Sequence, residues 1–349
     1  MRSSQMQAQM QYEIYDFYDY PTVGADDWTY TFEAAQVRTL ETEMLSDATL
    51  AEMIDAPDLD SAVAALAGTA YAMPSSGADM ETVLLERRRA VRGLFEQLVP
   101  EEVAAVLKGR IDYANLRLAV RRAVLDRPIG TDYSDAGNVP PDVLQDVFEG
   151  ENYDLMPEPI QQAAEEGILA YYENKDIRQI DYAIDRVQAE QQLQAAERLD
   201  SIFLSNLFRI QIDLTNIRTM MRMKLMDLDR RDVYLAGGFV DADRFHAGIG
   251  GGYDTLGSLF MATPYQHVVE AGATYAAANE SFLRLEQLCD EYHLGFLRST
   301  EHITAGLQPV IAYLLRVEHE IRTVRLILTA KKNLLEIKLI RDRVTPGKG

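Results

Sequence analysis

Asp213–Lys224 reads D-L-T-N-I-R-T-M-M-R-M-K. The stretch contains neither Gly nor Pro and ends in strong helix formers, so it predicts a helix. At about 100° per residue, Ile212, Leu214, Ile217, Met220, Met221, Met223 and Leu225 share one broad apolar face. Asp213 and Asn216 fall inside that face, and Arg218 and Arg222 lie at its edge. A carboxylate and an amide on a core face are costly unless they find partners. The helix is therefore expected to hold a buried polar network in a helical protein.

The pattern occurs more than once. Asp112–Arg122 reads D-Y-A-N-L-R-L-A-V-R-R, and its Asp112, Asn115, Arg117 and Arg121 match Asp213, Asn216, Arg218 and Arg222 at an offset of 101 residues. A weaker third copy places Glu320, Ile321, Arg322 and Thr323 where Asn216, Ile217, Arg218 and Thr219 stood, 104 residues further on. Such a period is too long for a solenoid repeat and fits a tandem triplication of one helical unit. A second anchor lies upstream of these cores. L-A-G-T-A-Y at Leu66–Tyr71 parallels L-F-M-A-T-P-Y at Leu259–Tyr265, and Tyr172 stands 101 residues beyond Tyr71.

Reading from the N-terminus, residues 1–29 form an extension rich in Gln, Tyr, Asp and Met, with the chain's one tryptophan, Trp28. It is either an unpacked terminus or an aromatic arm that docks on a neighbour. Helical patterning begins at Thr31, and sustained period-2 alternation is missing, so the fold class is all-α. Pro and Gly cluster at 128–157 and 232–263, which suggests repeats at 30–130, 131–231 and 232–349. Long helices are expected at Asp176–Ile210, Val268–Tyr292 and Pro309–Arg343.

Composition narrows the function. The 349 residues carry a net charge of −21, unsuited to nucleic acid or to direct docking on anionic lipid. Charge is unevenly spread: 128–174 holds eleven acidic residues and no Lys or Arg, whereas 316–349 holds nine Lys or Arg against four acids. The acidic run is a solvated face or a docking surface for a basic partner. The single cysteine, Cys289, precludes a disulfide framework and a cysteine-built metal site. Apolar runs such as Val310–Leu315 fall far short of the ~18 residues of a membrane span, and the N-terminus lacks the apolar centre of a signal peptide. A soluble cytoplasmic protein is expected.

Catalytic patterns are missing. Gly248-Ile249-Gly250-Gly251-Gly252-Tyr253 lacks the Lys of a phosphate loop and the final Gly of a dinucleotide fingerprint, and reads as a turn between helices. The five histidines show no i, i+4 metal spacing, and Cys289 reads as a small core residue. Asp112, Asn115, Asp213 and Asn216 could line a site, but catalytic sites seldom repeat at equal spacing, so a structural role is favoured.

The chain resembles the C subunit of the archaeal and bacterial V/A-type ATPases, the counterpart of the d subunit of eukaryotic V-ATPases. The resemblance rests on the D-x-x-N-[LI]-R cores at Asp112–Arg117 and Asp213–Arg218, L-A-G-G-F-V-D at Leu235–Asp241 and F-M-A-T-P-Y at Phe260–Tyr265. Y-T-F-E-A-A-Q-V-R-T-L-E at Tyr30–Glu41 and V-E-H-E-I-R-T-V-R-L-I-L-T-A-K-K-N at Val317–Asn333 complete it. The chain departs from the family in its 1–29 extension and near Asn333–Leu334, where the family tends to have a Gly.

The resemblance implies three similar helical bundles arranged as a pseudo-threefold funnel. It also implies a non-catalytic rotor subunit with no cofactor, metal or small-molecule substrate. Such a part would be peripheral on the cytoplasmic side of a membrane and would couple the central stalk to the proteolipid ring. Torque between ATP hydrolysis or synthesis and proton or sodium ion translocation would pass through it. Asp112, Asn115, Arg117, Arg121, Asp213, Asn216, Arg218, Arg222, Glu320 and Arg322 are the expected structural network. The alternative is a helical scaffold unrelated to an ATPase.

Overall fold

A computed structural model describes residues 21–73 and 79–344. Residues 1–20 of the expected extension lie outside the described residues. Every regular element among the described residues is helical. The N-terminal helices are α1 (Thr31–Glu41), α2 (Asp47–Asp55), α3 (Leu59–Ala64) and α4 (Met80–Leu98). Then come α5 (Glu101–Val124), α6 (Pro141–Gly150), α7 (Glu158–Asn174), α8 (Arg178–Arg198) and α9 (Ile202–Leu225). The last are α10 (Ala242–Gly250), α11 (Leu256–Leu259), α12 (Gln266–Asn279), α13 (Leu283–Arg298), α14 (Leu307–Lys332) and α15 (Ile337–Arg343).

The chain forms two compact units. In one, made of Pro100–Thr219 and Asp229–His246, α5 packs on both α7 and α8, which also pack on each other. Leu116, Ala119 and Val120 of α5 join Ile160, Ala163 and Ala164 of α7 and Ile180, Ile184 and Val187 of α8 in one apolar core. Gly167 lets α7 lie close to α8, because a Cβ there would stand 3.3 Å from Ile184.

The other unit takes the described residues up to Val99, Met220–Leu228, and Ala247 onward. Its axis is α14, which packs against α1, α2, α3, α4 and α13. The apolar run Val310–Leu315 lies in this helix, and all six residues are buried. An α-helix apolar all round must be surrounded by protein or lipid. Lys331, near its end, is also buried and donates from Nζ to the backbone carbonyls of Ile54, at 2.7 Å, and Ala56. It thereby satisfies carbonyls left open at the end of α2. Ser46 and Asp58 cap α2 and α3 by accepting from the backbone N–H groups of Thr49 and Ser61. Of the N-terminal extension, Asp26 accepts from the N–H groups of Thr304 and Ala305, and Ala25 accepts from Gln308. Trp28 is exposed.

The three long helices expected from sequence are each divided in two. Asp200, Glu280 and Leu334 adopt φ values of 48°, 51° and 55° between the halves. The left-handed residue stops the helix and the chain turns. None of the three is Gly, which is why the sequence pattern runs through the breaks.

Replacement of Lys331 by Met is expected to leave the Ile54 and Ala56 carbonyls without their donor and to lower stability by about 1–3 kcal/mol. Urea unfolding of both proteins at one pH checks this.

Candidate functional site

The repeated polar residues build one contact three times. Asp112 is buried in α5 and accepts from the backbone N–H groups of Asn138 and Val139 at 2.8 and 2.9 Å. Asp213 is fully buried in α9 and accepts from Phe239 and Val240 at 2.8 and 3.3 Å. Asn115 donates to the carbonyl of Ser134 and accepts from its N–H, at 2.8 and 3.0 Å. Asn216 does the same with Leu235 at 2.9 and 2.8 Å. An amide matches one backbone N–H and C=O pair, whereas a carboxylate accepts only. Each Asp/Asn pair therefore clasps the loop that leads into the next helix, α6 or α10.

A signal that the sequence reading missed makes the clasp possible. Gly137 and Gly238, also 101 residues apart, sit where the loop meets the aspartate. A Cβ would stand 2.0 Å from Asp112 Oδ1 at the first and 2.0 Å from Asp213 Oδ1 at the second. Only Gly allows so close an approach.

The third copy uses a longer acid. Glu320, buried in α14, accepts from the N–H of Leu45 at 2.7 Å and from the Tyr71 hydroxyl at 2.7 Å. Leu45 stands two residues before α2, as Val139 stands before α6 and Val240 before α10. The last repeat helix thus holds a loop from the beginning of the chain. Tyr71 enters through the turn that the sequence parallel indicated. Thr69 Oγ1 donates to the Leu66 carbonyl and Thr263 Oγ1 to that of Phe260. Tyr71 and Tyr265 are fully buried. Tyr172 is not their counterpart, because it lies inside α7 and is exposed, with the Lys175 ammonium over its ring.

Burial raises the Asp112 and Glu320 carboxyls above their ordinary range, against the opposing pull of the hydrogen bonds each accepts. Burial raises the Tyr71 hydroxyl further, with the Glu320 charge adding to it.

The arginines lie outside these clasps. Arg117 pairs with Asp185 and Gln188 of α8, and Arg121 pairs with Asp181. Arg222 pairs with Glu286 of α13 at 3.3 Å, and Arg218 is half-buried. Asp181 and Glu286 both lie in the first turn of a helix. In α14 the matching pair is Arg325 with Glu81 of α4, at 2.5 Å. Arg325 was missed because the third copy is out of register by one residue. These pairs are partly exposed and contribute about 0–1 kcal/mol each. The buried clasps therefore carry more of the structure. Arg322 is exposed and joins Asp290, His319, Thr323 and Arg343 around a cavity of about 100 Å³.

Long helices that repeat one clasp narrow the family, and comparison decides it. The description "ATP synthase (C/AC39) subunit" belongs to the family that matches residues 34–343. The chain belongs to this family. The C subunit of the V-type sodium ATPase of Enterococcus hirae is 23% identical over 316 residues, 88% of this chain and 95% of that protein. The family is a structural, non-catalytic part of V/A-type ATPases.

Two measurements test the clasps. Asn216→Leu and Gly238→Ala are each expected to cost about 1–3 kcal/mol, the first by stranding the Leu235 backbone and the second by displacing Asp213. An unchanged unfolding midpoint for Asn216→Leu would remove the amide from the network. His319 offers a pH test. Burial, helped by Arg322, Arg343 and Arg298 and opposed by Asp290, holds it down to about 4 from 6.5. Between these values the unfolded chain binds more protons at His319 than the folded chain. This residue's contribution to stability therefore falls as pH drops from 6.5 towards 4. His319→Gln is expected to lose less stability than the parent over that window, measured by urea midpoints at successive pH values.

Proposed function

We propose that this chain is a rotor adaptor of a V/A-type ATPase, seated between the proteolipid ring and the central stalk on the cytoplasmic side of the membrane. It transmits torque between ATP hydrolysis or synthesis and ion translocation. The observation that carries this reading is the clasp repeated on three long helices. A torque-bearing spacer must not let its helices slide or its loops shear, and a buried carboxylate bonded to backbone N–H groups resists both. Asp112, Asn115, Asp213, Asn216 and Glu320 set the register, and Arg117, Arg121, Arg218, Arg222 and Arg322 support it from the surface. Three copies of one unit, disposed as a pseudo-threefold funnel, suit a part that joins a ring of identical subunits to a single shaft.

Other features agree. No helix among the described residues is long and apolar enough to cross a membrane, which suits a peripheral place. The acidic run at 128–174 offers complementary charge to basic segments of a stalk.

The test is purification of the tagged chain from mildly detergent-solubilised membranes, with identification of what accompanies it. Proteolipid ring and central-stalk subunits are the expected companions. Recovery of the chain alone, or with unrelated soluble proteins, while the ATPase stays intact would favour a general helical scaffold instead.

A further inference from the structure

The basic C-terminal end of the chain holds an edge that no clasp uses. Between α14 and α15 the chain reads K-N-L-L-E-I-K-L, Lys332–Leu339. Leu334 is 86% exposed, Leu335 49%, Ile337 37% and Leu339 39%. Lys332 and Lys338 are exposed among them. The edge is rigidly presented. Ile340 and Val344 are buried, Arg343 pairs with Asp290 at 2.8 Å, and Tyr275 donates to Asp342 at 2.7 Å. At the turn itself Leu334 holds φ +55°. Through its backbone Leu334 ends α14, while its side chain stands in water and adds nothing to the packing of the fold.

Composition points to the occupant. Protein–protein interfaces are enriched in aromatics, Met and Arg and depleted in Lys. This edge has no aromatic residue; it combines Leu and Ile with Lys. Aliphatic side chains flanked by lysines are what a short amphipathic segment offers to the headgroup region of a bilayer. The lysines complement anionic headgroups, with Glu336 the one acid between them. The net charge of −21 does not forbid this, because charges beyond a Debye length of about 8 Å are screened at physiological salt. We propose that residues 332–339 dock on an anionic bilayer surface, inserting Leu334 and Leu335 among the headgroups while Lys332 and Lys338 bind their phosphates. This places one edge of the chain in lateral contact with lipid, and it does not depend on the adaptor reading, since vesicles contain no ATPase.

Vesicle sedimentation of the purified full chain tests it. Binding is expected to phosphatidylcholine vesicles that carry phosphatidylglycerol and not to phosphatidylcholine alone. Lys332→Gln with Lys338→Gln is expected to weaken it about 30-fold. Leu334→Gln with Leu335→Gln is expected to abolish it. Leu155→Gln, at another exposed leucine (57%), should bind as the parent does. Unfolding midpoints equal to the parent's would show that the variants are folded. No binding by the parent, equal binding to both vesicle types, or equal loss in Leu155→Gln would overturn the proposal. If the parent ignores vesicles while the lysine variant loses ATPase subunits in the purification described above, the edge is a protein interface instead.

Discussion

A carboxylate buried on the apolar side of a helix cannot stay there alone. Moved into an apolar interior without partners it costs many kcal/mol, and its pKa rises until it is neutralised. Asp112, Asp213 and Glu320 avoid this by taking backbone N–H groups from a loop. Much else in the structure follows from that requirement. The loop must come close, so Gly137 and Gly238 stand at the closest approach. It must then lead into a helix, so the donor lies just before α2, α6 or α10.

The clasp also explains the order of the chain. In the first two copies the acid on a long helix holds the loop immediately downstream. The third acid takes the loop before α2 instead, some 275 residues earlier. Glu replaces Asp or Asn there, and its additional methylene reaches both the Leu45 N–H and the Tyr71 hydroxyl. An Asn at Glu320 could not accept equally from two donors with both ends of its side chain. The change of residue is therefore chemically matched to the change of partner.

The polar network of this molecule serves its backbone. Its buried carboxylates are engaged in hydrogen bonds that fix the backbone, and the ion pairs of Arg121, Arg222 and Arg325 each tie a repeat helix to a neighbouring helix at the surface. The glycines that resembled a phosphate loop have other tasks. Gly248 lies against Met220, and the Gly251 carbonyl accepts from Lys224.

The sequence by itself determined the all-helical class and the burial of Asp112, Asn115, Asp213 and Asn216, because periodicity and hydrophobicity are local and a polar residue on an apolar stripe is visible without coordinates. It also showed the Thr–Tyr turn in two copies. Only the tertiary structure decided what the polar groups hold. Asn115 and Asn216 bond to backbone, which every residue type carries, so no residue pattern announces the partner. Pairing across 244 positions, as between Arg325 and Glu81, leaves no local trace. The helix breaks at Asp200, Glu280 and Leu334 were equally hidden. A left-handed residue is usually signalled by Gly, and Asp200, Glu280 and Leu334 adopt that conformation without one.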